Sequence, residues 1–376
     1  MANVLILGGG FGGVVAAETL VTNLSHEHQV TLVSRDDRFL FYPALVRLAF
    51  GECEIADISF DLRKAMMDRR VRFIKAEVAR ISPSDRHVTL THGEVEGELP
   101  YDYLIFALGR RLATEKVTGF YEHAHHLLTP EAALKFGEAV ASFHEGHAII
   151  GNCAEAKLPI PVFETAFALS RRLQERGERG GCRITVINPN MASLEEFGGR
   201  ELATKLYRTL EEHGIEYVAD FPVSEVTAQE VRTFDGHILA YDLLMLLPPF
   251  AGVGPVIDTG ITDSKNFIRV DDSMRVIDAE RMYAVGDSTN LRGAKTAHMS
   301  VRQAEVAAAN AQAEIEGRTP SAKYEHEIRS VIDEGGRDSI YLHKKLWTDE
   351  IGDVSQGRVW RWAKLAQEKT WMLTHS

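Results

Sequence analysis

A glycine-rich turn near the start of the sequence has the spacing of a dinucleotide-binding motif. Gly8, Gly10 and Gly13 fit the pattern G-x-G-x-x-G, and Phe11 follows the second glycine. The first glycine of this pattern permits a tight turn, the second lets the backbone approach a pyrophosphate, and the third lets a helix pack on a strand. The N terminus of that helix then faces the phosphates. We predict that Gly8, Gly10, Phe11 and Gly13 bind a dinucleotide; the alternative is a glycine turn without a ligand.

The residue that would contact the ribose of such a ligand departs from the usual pattern. An acidic side chain normally ends the second strand and binds the ribose hydroxyls. Here Ser34 stands at that place and Arg35 follows it. We therefore expect the adenosine contact, through Ser34 and Arg35, to be shifted or weaker.

A second candidate site follows the apolar run 282–285, which predicts a buried strand. Gly286 and Asp287 end this run, and a carboxylate there is suited to the hydroxyl groups of a polyol. NAD and FAD both use the glycine turn. The two elements together resemble the FAD-binding elements of flavoproteins with two dinucleotide-binding domains, and this resemblance implies that Asp287 binds the ribityl chain of FAD. A helix-capping aspartate is the alternative.

These motifs need an architecture that brings them together. Residues 4–33 have the pattern strand, glycine turn, helix, strand, which is a βαβ unit, and residues 147–188 repeat the pattern. The apolar run 103–109 predicts another buried strand, and we assign its last residues, Ala107 and Gly109, to the cofactor site. The sequence thus predicts an α/β fold with two Rossmann-like dinucleotide-binding domains and a C-terminal segment that faces a membrane.

The length of the chain supports more than one domain, because single cores stop growing near about 250–300 residues and this chain has 376. We assign residues 1–112 and 246–316 to a discontinuous FAD-binding domain. Residues 113–245 form a second, NADH-domain-like Rossmann domain in this prediction. Residues 317–376 form a C-terminal amphipathic region.

Composition excludes several classes of function. The net charge of −12 argues against binding to nucleic acid. The three cysteines have neither a C-x-x-C pattern nor the number needed for a disulfide framework, and we expect no metal site. His123, His125 and His126 are interpreted as surface histidines rather than ligands.

No signal peptide and no run of 18 apolar residues is visible, so we expect a protein on the cytoplasmic side of the membrane that is attached peripherally.

Four segments together resemble one family of flavoproteins. They are 41–45 (FYPAL), 247–250 (LPPF), 284–287 (AVGD) and 295–299 (KTAHM). In this order they resemble the sulfide:quinone oxidoreductases and the flavoprotein subunits of flavocytochrome c sulfide dehydrogenase, within the pyridine nucleotide–disulfide oxidoreductase superfamily. The resemblance covers nearly the whole chain. It implies a non-covalent FAD, a small sulfide-like electron donor and a membrane quinone as acceptor.

The same resemblance implies roles for individual residues. Pro43 would lie against the flavin, and Lys295 with the backbone of Thr296 and Ala297 would meet its N1/C2=O edge. A lysine and a helix N terminus stabilise the negative charge that reduction places there. Glu164 would lie near the flavin as a proton-handling group.

The cysteines of that family are not found at the matching positions. The redox cysteine six residues before the glutamate corresponds to Leu158, its partner to Ser330, and the cysteine that attaches the flavin covalently in some members to Leu128. Leucine and serine cannot form a disulfide or carry polysulfide sulfur. Sulfide oxidation through a cysteine pair would require that Cys153, with Cys53 as partner, has taken over; an inert core cysteine is the alternative.

Two other functions stay open. An NAD(P)H:quinone oxidoreductase of the type II NADH dehydrogenase kind would need a second glycine fingerprint, but the turn 151–157 contains one glycine. A flavoprotein that serves as a redox sensor or assembly partner without efficient turnover would also fit the missing cysteines.

The last 30 residues are aromatic and basic. A short helix with tryptophan and lysine suits the headgroup zone of a membrane, and the residues from 358 onward carry a charge of +3. We therefore predict a membrane-surface helix. The alternative is a tail packed on its own domain or on the partner in a homo-oligomer. The tryptophans are Trp347, Trp360, Trp362 and Trp371.

Overall fold

The structure, a computed structural model, describes residues 1–190, 192–346, 348, 350 and 352–376. Its first sheet is parallel, with the strand order β19-β9-β1-β2-β5. These strands are rich in valine, leucine and isoleucine because both faces of a parallel sheet are covered. They are β1 (Asn3–Leu7), β2 (Gln29–Ser34), β5 (Arg72–Lys75), β9 (Tyr103–Phe106) and β19 (Met282–Ala284).

A second parallel sheet has the order β13-β12-β11-β17. The predicted α/β architecture with two βαβ units is therefore confirmed. The assignment of residue ranges to domains stays a prediction. The strands are β11 (Gly146–Asn152), β12 (Cys182–Ile187), β13 (Glu216–Val218) and β17 (Leu243–Leu247).

Helices cover the two sheets. α1 packs against α8 over the first sheet, and the two place alanines and other small residues against each other. The chain bends inside α7 at Gly199, whose φ is 81°. The helices are α1 (Phe11–Asn23), α2 (Leu45–Ala49), α3 (Leu62–Asp68), α4 (Phe120–His123), α5 (Pro130–Ser142), α6 (Ile160–Arg176), α7 (Ala192–Glu212), α8 (Ala297–Ile315) and α9 (Arg358–His375).

Short antiparallel pieces complete the described structure. They are β3 (Arg38–Leu40) with β4 (Ser59–Asp61); β6 (Glu77–Ser82) with β7 (His87–Thr91) and β8 (Gly97–Pro100); β10 (Arg111–Leu112) with β18 (Phe250–Ala251); β14 (Val223–Val226) with β15 (Glu230–Thr233) and β16 (Ile238–Ala240); and β20 (Glu327–Asp333) with β21 (Ser339–Lys345) and β22 (Asp353–Gln356).

The C-terminal region folds onto the rest of the chain. One face of β20 and β21, with Ile328, Ile332, Ile340 and Leu342, joins the hydrophobic core of the second sheet. α9 then crosses the surface, and Trp371 packs against the core of the first sheet. Within the described residues, no helix has the length and apolar character needed to cross a membrane.

Two of the three histidines expected at the surface are not exposed, which corrects that prediction. His123 is exposed, but His125 and His126 are half-buried. Their rings lie near Phe136 and Phe120, respectively. Burial lowers the pKa of both histidines. The sequence pattern did not reveal that the segment after α4 runs beside β17.

Candidate cofactor site

The carboxyl ends of three neighbouring strands meet at one edge of the first sheet. β1 leads into the glycine turn, β9 into Ala107, and β19 into Gly286 and Asp287. Backbone hydrogen bonds align them: the Ala107 N–H donates to Leu7 and the Val285 N–H donates to Phe106, both at 2.8 Å. Ligands of open parallel sheets bind at this edge.

Each glycine of the turn is required for a different structural reason. Gly8 has φ +109°, and a Cβ on it would lie 2.2 Å from the carbonyl oxygen of Ala107. A Cβ on Gly13 would lie 1.8 Å from the carbonyl oxygen of Gly8. A Cβ on Gly10 would meet no atom within 4 Å, so the backbone there faces open space. Tight turn, close packing and open approach are the three requirements of the dinucleotide motif.

Phe11 lies at the centre of an aromatic cluster. Its ring centroid is 5.0 Å from Phe39, 5.3 Å from Tyr42 and 4.7 Å from Trp371. The short helical turn that contains Tyr42 and Pro43 is thereby fixed beside the glycine turn. Pro43 thus lies in the segment next to this edge of the sheet.

Asp287 is buried, and only one of its two carboxylate oxygens has a hydrogen-bond partner among the described residues. Its Oδ2 accepts a hydrogen bond from Arg110, whereas its Oδ1 is buried without a hydrogen-bond partner among the described residues. The Arg110 guanidinium also lies 4.1 Å from the ring centroid of Phe250. A buried carboxylate oxygen without a donor is costly, and a ligand hydroxyl would supply that donor. The alternative, that Asp287 is a helix-capping residue, finds no support, because the short helical turn Gly286–Ser288 that contains it has Val285 as its N-cap residue and no side-chain cap.

Lys295 is a buried cation next to Asp287. Its Nζ donates to the backbone carbonyl of Thr289 at 2.6 Å. Burial lowers its pKa to about 7, with Lys157 and Arg110 acting in the same direction and Asp287 opposing them. This lysine therefore changes its charge near neutral pH.

Lys295 immediately precedes the start of α8. Thr296 is the N-cap residue of the helix, and its side-chain oxygen accepts from the N–H of Met299. Ala297 is the first residue of the helix. The helix N terminus and the buried lysine together present positive charge at one place.

The predicted adenosine contacts lie close to the glycine turn. Ser34 ends β2 and is buried, and a Cβ on Gly9 would lie 2.6 Å from its Oγ. Arg35 is exposed and pairs with Asp36. Gly109, which ends the β9 segment, has φ +70° and lies just before Arg110. The structure thus groups these predicted positions at the sheet edge.

Glu164 has partners in the C-terminal region. It lies on α6, is buried, and accepts from Lys364 of α9 and, at 2.9 Å, from the backbone N–H of Asp333. Burial raises its pKa, while Lys364 opposes that effect. Its predicted role near the flavin stays a prediction, because the hydrogen bonds described for its carboxylate are with the C-terminal region.

The cysteines do not form a reactive pair. Cys153 is fully buried in the small core formed with residues such as Phe120 and Ile149, whereas Cys53 packs against the core that contains Leu158. Burial raises the pKa of both thiols, that of Cys53 to about 11. A thiol must be deprotonated and accessible to act as a nucleophile. In this arrangement Cys153 has the environment of a core cysteine.

The turn of the second sheet differs from the first. Gly151 packs against Ile187, so that a Cβ would lie 2.3 Å from the Cγ1 of that residue. Glu155 lies in the turn and pairs with Lys116 at 2.9 Å and with Lys265 at 2.5 Å. The glycine here serves packing between strands, and a carboxylate occupies the turn in which a phosphate would need positive charge.

Three contributions to the site were missed by sequence reasoning. Sequence reasoning assigned no role to Arg110, did not single out Lys364 within the basic tail, and interpreted Trp371 as a membrane residue. A signal was available for Arg110, because it directly follows Gly109 at the end of the apolar run. Lys364 and Trp371 gave none, because their partners, Glu164 and Phe11, lie 200 and 360 residues away in the sequence.

Comparison with known proteins agrees with this geometry. The family model described as pyridine nucleotide-disulphide oxidoreductase matches residues 2–311. The chain is 26% identical to the alternative NAD(P)H-ubiquinone oxidoreductase C1 of Arabidopsis thaliana, over 84% of this chain and 68% of that protein. It is 28% identical to the sulfide-quinone reductase of Aquifex aeolicus, over 69% of this chain and 61% of that protein.

A solved structure has the same fold over the whole chain. The sulfide:quinone oxidoreductase from the hyperthermophilic bacterium Aquifex aeolicus superposes with a TM-score of 0.93 and is 24% identical. The match covers 100% of this chain and 91% of that one. Since the family model covers most of the sequence and the glycine turn, strand ends and helix N terminus are in place, the chain belongs to the pyridine nucleotide-disulphide oxidoreductase family.

Proposed function

We propose that this protein is an FAD-dependent oxidoreductase that passes two electrons from a small reductant to a quinone. The observation that carries the proposal is the meeting of the glycine turn, Asp287 and Lys295 at one edge of a parallel sheet. Such an edge can bind a dinucleotide, a polyol and a group that becomes negative on reduction.

The residues that would hold FAD have separate tasks. The glycine turn and α1 would receive the pyrophosphate, and the free oxygen of Asp287 would accept from a ribityl hydroxyl. Lys295 and the start of α8 would stabilise the negative N1/C2=O edge, and Pro43 would lie against the ring. The bound flavin would supply two-electron chemistry that no side chain of this site can perform.

Several similar proteins support a quinone as acceptor. The Arabidopsis and Aquifex relatives described above are both named for the reduction of a quinone, although their electron donors differ. A demethylphylloquinone reductase of Synechocystis is also 26% identical, over 84% of this chain and 80% of that protein. We therefore infer the acceptor class from what these relatives share.

The donor is the part on which the relatives disagree. We favour a small sulfide-like reductant over NAD(P)H because the second turn holds Glu155 between two lysines and uses Gly151 for packing. Leu158 and Ser330 stand where the disulfide of the sulfide-oxidising family would lie. In this proposal such a donor must therefore reduce the flavin without a cysteine pair.

We also propose that α9 attaches the protein to a membrane surface. Its outer face bears Val359, Trp362 and Leu373, which are 66, 73 and 71% exposed. Lys369 lies exposed on the same helix. Trp360 and Trp371 pack inward, and Trp347 lies outside the described residues. The attachment therefore depends on the outer stripe rather than on all four tryptophans.

The function can be tested by anaerobic titration of the purified flavoprotein. Sulfide and NADH are added to separate samples, and the absorbance of the oxidised flavin is followed. We expect rapid bleaching by sulfide and recovery when a soluble quinone is added. Bleaching by NADH alone would replace this proposal by the second candidate, and bleaching by neither would favour the sensor or assembly role.

The second candidate is an NAD(P)H:quinone oxidoreductase. The 26% identity to the Arabidopsis NAD(P)H-ubiquinone oxidoreductase over most of this chain favours it. Nicotinamide would then have to bind without the usual glycine turn. The Glu155→Gly variant separates the NAD(P)H-dependent candidate from the sulfide-dependent one. Removing the carboxylate should strengthen the binding of NADH and leave the bleaching of the flavin by sulfide unchanged.

A further inference from the structure

A carboxylate joins two histidines beside the first turn of α8. The Nε2 of His298 lies 3.1 Å from Oε1 of Glu327, and the Nε2 of His343 lies 3.1 Å from Oε2 of the same carboxylate. The side chains of His298, Glu327 and His343 are 21, 22 and 43% exposed. The three groups therefore form a continuous path from a mostly buried end to a more exposed end.

The inner end of this path lies beside the candidate cofactor site. His298 is the second residue of α8, which begins directly after Lys295 and Thr296. His326 precedes Glu327, and burial together with the charge of Lys295 lowers its pKa to about 4. The start of β20 and the start of α8 are thus neighbours at the place where the flavin edge is proposed.

The outer end opens on the sheet face that meets α9. His343 and Tyr341 are alternate residues of β21 and so share a face. Tyr341 stacks on Trp360 of α9 with ring centroids 4.0 Å apart. The path therefore leads from the side of the molecule that carries α9 toward the start of α8.

We propose that His298, Glu327 and His343 form a proton relay to the quinone, a role that rests on the function proposed above. A quinone that takes two electrons and one proton from a reduced flavin needs one further proton to become a hydroquinone. Lys295 favours a reduced flavin that carries only that one proton. The second proton comes from His298.

Each bond change in the relay has a donor and an acceptor. As the Nδ1–H bond of His298 breaks and an O–H bond forms on the quinone, the Glu327 carboxylate takes a proton from Nε2 of His343 and gives a proton to Nε2 of His298. Glu327 is thereby returned to the carboxylate, His298 carries its proton on Nε2, and solvent reprotonates His343. His298 is the catalytic acid, while Glu327 and His343 act through it.

The charges around His298 suit a group that both takes and gives a proton. Burial, Arg329 of β20 and Arg302 of α8 lower its pKa, whereas Glu327 opposes them, and the pKa lies below the ordinary value. On β21, Lys345 lies opposite Glu327 in the strand register.

The relay can be tested on the flavoprotein with the donor left out. The flavin is reduced photochemically under argon, then mixed with a short-chain ubiquinone or with ferricyanide, which accepts single electrons without protons. Flavin absorbance is followed in a stopped-flow instrument from pH 5.5 to 9. We expect His298→Asn to slow reoxidation by the quinone roughly a hundredfold, within the range of general acid catalysis, and to leave the ferricyanide rate within about twofold of wild type.

Further variants give the outcomes that decide the proposal. Glu327→Gln and His343→Asn should slow the quinone reaction roughly tenfold and flatten its pH profile, and imidazole should partly restore His298→Ala. His92→Asn is the matched control, since His92 is an exposed histidine on another part of the surface. His343→Asn, at the exposed end, keeps the test valid if Glu327→Gln does not fold.

The relay is overturned if His298→Asn reacts with the quinone at the wild-type rate, or if both oxidants are slowed equally, which would indicate a structural role. A wild-type protein that reduces ferricyanide but no quinone would instead overturn the proposed function. These results are distinguishable because the second concerns the wild-type protein and the first concerns only the variants.

Discussion

Two buried charges of opposite sign lie side by side at the sheet edge and respond differently to burial. Asp287 keeps one oxygen bonded to Arg110 and the other without a partner among the described residues. Lys295 is so strongly desolvated that its pKa falls to about 7. Each charge is therefore costly in the protein alone, and a ligand with hydroxyls and a negative edge would compensate both.

Asp287→Ala should weaken FAD binding. One hydrogen bond to a charged group contributes about 1.5–3 kcal/mol, so we expect a rise in Kd of roughly 10- to 100-fold. Fluorescence titration of the flavin-free protein measures it, with Asp36→Ala as control, since Asp36 is exposed beside Arg35. An unchanged Kd would show that the carboxylate does not contact the cofactor.

Lys295→Met should change how stability depends on pH. The folded protein holds Lys295 with a pKa of about 7, well below the unfolded value of 10.5. Between pH 7 and pH 10.5 the unfolded chain binds more protons at this lysine than the folded protein does. The contribution of Lys295 to the free energy of unfolding therefore rises with pH across this range and is absent below pH 7. Denaturant unfolding measures the free energies of unfolding of the flavin-free wild type and variant. The difference between these two free energies should shrink from pH 6 to pH 10, by on the order of 3 kcal/mol. A constant difference would contradict the lowered pKa.

At the scale of elements, α9 is fixed to the body through charged groups on its inner face. Lys364 forms an ion pair with Glu164 of α6, and Arg361 forms one with Asp333 of β20 at 3.1 Å. A third ion pair joins Glu368 to Arg47 of α2. The helix therefore connects three parts of the chain. Removing one partner of a buried pair is costly because the other charge stays buried.

Lys364→Met should destabilise the protein most at high pH. Burial already raises the pKa of Glu164, and loss of Lys364 raises it further. Above that pKa the folded state holds a buried carboxylate without its cation, which we expect to cost about 3 kcal/mol at pH 8. The cost should fall as the pH is lowered from 8 to 5, because the raised pKa favours protonation of Glu164.

Thermal unfolding at both pH values measures this effect. Lys369→Met is the matched control, because Lys369 is an exposed lysine on the same helix. Adding Glu164→Gln to Lys364→Met should recover most of the loss. A loss of equal size at pH 5 and pH 8 would contradict the pairing.

The parallel strands could be predicted because their apolar runs are continuous. The glycine turn could be predicted because the spacing of its glycines is typical of a dinucleotide-binding motif. The sheet of β20, β21 and β22 could not, since its strands alternate between core and polar face and lie outside the nucleotide pattern. The inward and outward tryptophans of α9 were also beyond sequence reasoning. Trp362 and Trp371 are nine residues apart and so lie on opposite faces of the helix, but only the packing of Trp371 against Phe11 shows which face is the inward one.

At the scale of the whole molecule, a protein of net charge −12 presents a stripe of apolar residues on one surface helix. Scattered apolar side chains need no explanation, but Val359, Trp362 and Leu373 follow one face of α9. Lys369 beside them would oppose the negative charge of the molecule near anionic lipid. The proposed relay opens on the same side.

Trp362→Ser combined with Leu373→Ser should weaken membrane binding. Burial of each apolar side chain contributes about 1.5–3 kcal/mol, and we expect at least a roughly tenfold lower partition coefficient. Sedimentation with vesicles of phosphatidylcholine and phosphatidylglycerol measures it. Phe234→Ser with Tyr121→Ser is the control, because both residues are as exposed but lie elsewhere. Equal binding by both double variants would contradict a role for α9.

The contact of Trp371 with Phe11 has a consequence for biosynthesis. Trp371 follows Phe11 by 360 residues, so Phe11 leaves the ribosome well before its partner. At about 5–20 residues per second, the aromatic side chains beside the glycine turn wait for on the order of half a minute. Chaperones can bind that surface during the interval, and the aromatic cluster is completed only when Trp371 has been synthesised.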